Sequence, residues 1–249
     1  MRVRQALLGA VLTFAAAGVQ AADVLVFVAG AAKAAIEKVA PEYERATGDK
    51  VVATFDTVGA LRDRIVAGER PDLTILSGTA VDALAGRGLV AADGRREIGV
   101  VVSGLAVRRG APVPEIADEA ALKRTLLAAR SIAHADGARG ATSGAHFATV
   151  IDKLGLRSQL QERITVLPFG VDVIDGVAQG RFEIGVSQSS EIVPNPGVTF
   201  VGGLPAPYAL VTPYVAATIG DSSRGAELLR FIDRPASRAL FEAAGFARR

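Results

Sequence analysis

Hydroxyls, small residues and one carboxamide gather at a series of turns in this chain. Each turn directly follows an apolar run, and most run straight into a helical pattern. Gly30-Ala31-Ala32 follows the run 24–29, and Thr57-Val58-Gly59 follows 51–56. Small residues at such a turn let a ligand reach free backbone N–H groups at the positive end of a helix dipole, a geometry that favours an anion. Further along, Thr142 and Ser143 precede a helical pattern, Arg139 lies three residues before them, Asp172 precedes another, and Gln188 ends an apolar run. Hydroxyls and carboxamides can donate to an anion, and Arg139 could grip a carboxylate through two parallel bonds. An Asp172 carboxylate would repel an anion, so the backbone N–H of Val173 is the expected donor there. The candidate ligand-binding residues are therefore Gly30, Ala31, Thr57, Val58, Arg139, Thr142, Ser143, Val173 and Gln188. Several have plainer readings: Thr57 and one of Thr142 and Ser143 are also natural helix caps, and Arg139 also reads as a solvated loop residue.

Catalytic chemistry finds few residues. His134 and His146 are the two histidines and there is no cysteine, so a metal site lacks a third ligand and thiolate chemistry is excluded. Ser143 and His146 stand three apart on a helical pattern, near enough to suggest an exported serine hydrolase. The string Gly140-Ala-Thr-Ser-Gly144 does not centre its serine as a nucleophile elbow does, and no phosphate-loop motif is present. No catalytic residue, metal or cofactor is expected.

The elements that carry these turns alternate. Apolar strands are expected at 24–29, 51–56, 73–76, 98–108, 131–135, 165–167, 184–188 and 199–201. Helices are expected at 33–47, 60–67, 79–87 with Thr79 as cap, 118–129, 145–154, 173–179, 222–233 and 235–244. Alternation of this kind predicts an α/β fold with parallel sheets covered on both faces. The middle segment repeats the logic of the first, so two lobes would each present polar strand ends to a shared cleft.

Residues 1–21 read as a signal peptide: Arg2 and Arg4 precede an apolar core over 6–17, with Val19-Gln20-Ala21 as the cleavage site. Those two arginines belong to 28 Lys and Arg in all, against 26 acids of which the leader has none. The chain beyond the leader is therefore formally neutral, which gives no case for nucleic-acid binding. These features place the protein in the periplasm.

The order Val24-x-Val26-Phe27-x-Ala29-Gly30-Ala31-Ala32, then 50–77 from Lys50-Val51-Val52-Ala53-Thr54-Phe55-Asp56-Thr57-Val58-Gly59 to Thr74-Ile75-Leu76-Ser77, resembles the molybdate-binding proteins of ABC transporters, type II periplasmic binding proteins. The likeness continues through 140–155, 172–185 and the closing Ala244-Gly245-Phe246. It implies a two-lobed fold whose chain crosses between lobes near Ser103 and Pro205. Lobe one would hold 22–103 and 206–249, and lobe two 104–205. It also implies capture of a small anion by hinge closure, delivery to the membrane permease of an ABC transporter, and a monomer. Where the family carries a serine at the first turn this chain has Gly30-Ala31-Ala32, and where a tyrosine is common it has Gln188. Thr57 retains a hydroxyl at the second turn. An organic carboxylate thus stands beside a molybdate-type oxyanion as the expected ligand. A ligand-sensing subunit of a signalling system is the alternative to transport.

Overall fold

The computed structural model describes residues 22–248; the signal peptide expected over 1–21 lies outside them. In the first lobe β1 (Asp23–Ala29) leads through a single tight turn at Gly30–Ala32 into α1 (Lys33–Thr47). Then come β2 (Lys50–Asp56), α2 (Val58–Val66), β3 (Leu73–Ser77) and α3 (Gly78–Ala85). α1 buries Ile36, Val39 and Tyr43, spaced at three and four residues on one face. It stops at Gly48, whose left-handed φ of 84° ends the helix.

β4 (Val90–Arg108) is 19 residues long and joins two sheets. It is followed by α4 (Glu119–Ala128), β5 (Ile132–Ala135), α5 (Thr142–Lys153), α6 (Arg157–Leu160), β6 (Ile164–Leu167) and α7 (Gly170–Ala178). β7 (Ile184–Gln188), α8 (Ser189–Ile192), β8 (Val198–Gly203), β9 (Val211–Ile219), α9 (Ser223–Ile232) and α10 (Pro235–Ala243) complete the chain. Up to Val102, β4 pairs antiparallel with β9; from Ser103 it pairs with β7, and from Gly104 with β8.

The two sheets share one plan. In the first, β1 lies between β2 and β3 with both pairs parallel, and β3 meets β9 antiparallel. In the second, β5 lies between β6 and β7 with both pairs parallel, and β7 meets β4 antiparallel. Each carries its own core. Val26, Val28, Leu61, Ile75 and the aromatics Tyr43, Phe231 and Phe241 fill the first. In the second, the two-residue period of β4 sends Leu105 and Val107 to one cluster and Ala106 to another. The fold is thus a two-lobed α/β architecture with mainly parallel sheets flanked by helices.

Four helices start earlier than their hydrophobic period suggests: α2 at Val58, α3 at Gly78, α5 at Thr142 and α7 at Gly170. For α2 and α3 the capping residue is itself at the strand end, Thr57 and Ser77. Thr79 is therefore inside α3, and Asp172 lies in the first turn of α7 behind its N-cap Phe169. β4 also begins eight residues before the expected 98. Its polar opening, Asp93 to Glu97, hides the strand, and its pairing is irregular between Val90 and Arg95.

Candidate functional site

One small cavity, about 40 Å³, lies where the strand ends of the two lobes face each other. From the first lobe come Ala29, Gly30, Ala31, Thr57 and Val58, with Tyr214 of β9. From the second come Ala135, Ala141, Thr142, Ser143, Phe169, Gly170, Gln188 and Glu191. These residues hold the starts of α2, α5 and α7 and the single turn ahead of α1. The first-turn N–H groups of a helix have no acceptor within it, so several main-chain donors converge on the space. Its volume suits a compact anion or the carboxylate end of a larger one.

Contacts between the lobes close this cavity. The Thr57 hydroxyl donates to the Arg139 carbonyl oxygen and accepts from the Ala60 N–H at 3.2 Å. The Gly59 N–H donates to the Gly140 oxygen at 3.3 Å. A Cβ on Gly59 would stand 2.8 Å from Gly140 Cα, so the two backbones touch where only glycine fits. Arg139 reaches back to Asp56 at 3.7 Å and lies over the Phe169 ring, 5.5 Å from its centre.

Of the nine residues singled out from the sequence, Gly30, Ala31, Thr57, Val58, Thr142, Ser143 and Gln188 line the cavity, and Arg139 and Val173 do not. Arg139 is half exposed and engaged with Asp56. The Val173 N–H donates to the Phe169 oxygen at 3.3 Å, because α7 starts three residues earlier than its apolar period suggests, and the side chain packs beside Ala106 and Ile174. The exposed first-turn donors of α7 therefore begin at Gly170. The Thr57 hydroxyl has one hydrogen, which goes to Arg139 in this closed arrangement.

Glu191, Tyr214, Phe169 and Gly170 escaped the sequence reading. Glu191 had a usable signal: it stands three residues after Gln188, the spacing of a capping box. Its Oε2 accepts from the Ser187 hydroxyl and from the Gln188 N–H at 3.4 Å. Burial pushes the Glu191 carboxyl above the usual glutamate range; the Ser187 and Gln188 bonds pull it back, and nearby Asp172 adds to the rise. Burial and the neighbouring Glu191 also raise the Tyr214 phenol, which stays a neutral donor. The Gln188 side chain is buried beside the Tyr214 phenol. The site therefore pairs main-chain dipoles with neutral donors and one carboxyl whose pKa burial raises.

The hydrolase pairing is not assembled. Ser143 faces the cavity, whereas His146 Nε2 lies 2.8 Å from the Tyr208 carbonyl oxygen, as an N–H donor would. His134 is buried edge-on against Phe147, and burial lowers its pKa.

Residues 24–247 match the family model described as bacterial extracellular solute-binding protein. The chain belongs to that family. Among curated proteins, this solute-binding protein is 33% identical over 193 residues to an aconitate isomerase of Pseudomonas sp., covering 75% of this chain and 72% of the relative. Among solved structures, the periplasmic molybdate-binding protein of Azotobacter vinelandii matches with a TM-score of 0.72 at 20% identity, over 92% of this chain and all of that one. A periplasmic binding protein of A. tumefaciens R10, solved with agropinic acid, matches at a TM-score of 0.64 and 16% identity, over 90% of this chain and 81% of that one. The structures establish the fold as that of type II periplasmic binding proteins. No helix of the described residues is long and apolar enough to cross a membrane.

Proposed function

We propose that this solute-binding protein captures a small organic carboxylate in the periplasm and presents it to the permease of an ABC transporter. In this reading the lobes are 22–103 with 206–249, and 104–205, and they close on the ligand as hinged bodies. The observation that carries it is the composition of the 40 Å³ cavity: helix starts, the hydroxyl residues Thr57, Thr142 and Ser143 and a neutral phenol surround the Glu191 carboxyl. A protonated Glu191 can donate to a carboxylate. The small Gly30-Ala31 turn leaves room where a serine would narrow the pocket for a tetrahedral oxyanion. The aconitate isomerase relative and the agropinic acid complex support an organic acid; the molybdate-binding neighbour supports the oxyanion alternative.

Thermal-shift screening against molybdate, tungstate, sulfate and a panel of di- and tricarboxylates tests this. A ligand at 100 times its Kd adds about 2.7 kcal/mol of stability, so a carboxylate should raise Tm clearly. Stabilisation by molybdate and tungstate with none by carboxylates would replace the reading with the oxyanion one.

A second reading has its own support. Glu191 puts an acid–base group inside an anion site, and the relative at 33% identity is named for an isomerisation of an unsaturated tricarboxylate. Under it the same cleft binds such a ligand and rearranges it.

A further inference from the structure

Glu191 occupies a built position. Its Oε1 faces Gly30 of the first lobe, where a Cβ would stand only 2.9 Å away, and its Oε2 faces Gly170 of the second, where a Cβ would collide with it. Glycines from both lobes thus make room for one carboxyl. Ser187 and the Gln188 N–H hold Oε2, which turns Oε1 to the other side. On one side the carboxyl lines the closed cavity. On the other it lines a 290 Å³ pocket at the surface, with Lys33 and Glu37 of α1 and Asp175 of α7. A group so placed can meet a ligand from within and exchange its proton with water from without. Its charged or titratable neighbours are Asp172 and Asp175 on α7, Lys33 and Glu37 on α1, and Tyr214 on β9.

Resting on the isomerisation reading above, we propose that Glu191 is the proton-transfer residue for a 1,3-shift in an unsaturated polycarboxylate held in the cleft. As carboxylate, Glu191 takes a proton from the allylic methylene. The electrons of the broken C–H bond form the new double bond, and the old double bond becomes a carbanion conjugated with its carboxylate. Glu191 then returns the proton to the far allylic carbon. The new double bond takes the geometry of the rotamer held about the former single bond when the proton leaves, so cis and trans forms interconvert. Nothing is oxidised or reduced. The carbanion's charge falls on carboxylate oxygens, which face the starts of α2, α5 and α7, dipoles fixed before the charge develops. The surface pocket lets the shuttled proton exchange with solvent.

The test incubates the full mature chain with trans-aconitate in D2O and follows NMR signals for the cis isomer and for deuterium on carbon. Glu191→Gln keeps the size of the side chain and removes the proton transfer. The expected result is isomerisation with deuterium incorporation by the wild type, and a loss of about 10²–10⁴-fold in Glu191→Gln, the usual worth of an acid–base group. Rates are compared with each protein saturated, at an aconitate concentration set from its own Tm rise, so that weaker binding is not counted as lost proton transfer. Equal rates in the two proteins would overturn the role of Glu191 and leave the isomerisation reading standing. Aconitate binding by the wild type with neither isomerisation nor exchange would overturn both and leave the carboxylate-binding reading intact. No binding of aconitate would overturn the substrate class and the proposal with it. Should Glu191→Gln not fold, the wild-type pH profile decides: the rate must fall on acidification with a midpoint above the ordinary glutamate value of 4.5, and a flat profile excludes Glu191.

Discussion

After β1 the first lobe lines the cavity with Gly30 and Ala31; after β5, the strand in the equivalent place, the second lobe lines it with Thr142 and Ser143. After β2 stand Thr57 and Val58, and after β6 stand Phe169 and Gly170. After β3 the Ser77 hydroxyl faces Thr79 at 3.2 Å and neither lines the cavity, whereas after β7 both Gln188 and Glu191 do. The scaffold repeats and the chemistry does not. The first lobe's turns approach the cavity with main chain, since the Thr57 hydrogen is engaged with Arg139. The second lobe adds hydroxyls, a carboxamide and a carboxyl. Main-chain donors recognise negative charge; side chains distinguish one anion from another. The identity of the ligand should therefore be written mainly in the second lobe.

Removing a second-lobe hydroxyl should do the most damage. Ser143 is buried in the cavity wall, and a hydrogen bond to a charged group is worth about 1.5–3 kcal/mol. Ser143→Ala should weaken binding of the screened carboxylate by that amount. Ala31→Gly on the opposite wall should leave affinity within threefold. Calorimetric titration of the pair decides it, and equal losses on both walls would end the division of labour.

Gly140→Ala comes next and attacks the meeting of the walls. Its φ is 84°, and a Cβ would stand 2.5 Å from Gly59 Cα. The left-handed backbone costs an L residue roughly 1–2 kcal/mol whether the lobes are open or shut. The clash costs a further amount only when they are shut, in the range of about 1–3 kcal/mol for overpacking. Affinity should therefore fall beyond the loss in unliganded stability. A change in Tm alone would show that the lobes close without this contact.

The same contrast explains what the sequence disclosed. The fold was legible because β-branched runs, helical periods and their alternation are local signals, repeated in both lobes. The cavity was legible where a short polar turn sits between strand and helix, as at Thr57 and at Thr142-Ser143. Apolar periodicity places helix starts late because the capping residue often belongs to the strand end; it starts α7 at Val173, whereas the helix and its first donors begin at Gly170. Tyr214 lies in β9, which pairs with distant β3 and β4, and nothing local announces that it faces Thr142 across the chain. Glu191 is absent from the sequence candidates for a general reason. An acidic side chain has no place in a pattern read for anion donors, and only the fold brings Gly30 and Gly170 together around this one.

Thr57→Ala tests the hydroxyl at the first lobe's second turn as a latch. It removes the donor to Arg139 and the cap of α2. The cap is worth about 1 kcal/mol of stability, and the neutral interlobe bond about 0.5–1.5 kcal/mol of closure. Affinity should drop by no more than about tenfold, and Thr57→Ser should restore it. A loss as large as that of Ser143→Ala would instead give Thr57 a direct bond to the ligand.

Arg139→Ala should have the smallest effect, against the first expectation from its sequence position. A guanidinium beside an anion cleft invites assignment as a grip on a second carboxylate. In the closed structure Arg139 is outside the cavity, half exposed, 3.7 Å from Asp56 across the cleft and over the Phe169 ring. Exposed pairs of this kind are worth about 0–1 kcal/mol and are screened by salt. The bond that Arg139 gives to closure is made by its carbonyl oxygen, which alanine keeps. Affinity for the screened carboxylate should therefore change less than about fivefold, and the difference should shrink as ionic strength rises. A loss above 30-fold that persists in salt would place the guanidinium on the ligand. It would also extend the side-chain recognition of the second lobe past the edge of the cavity seen here.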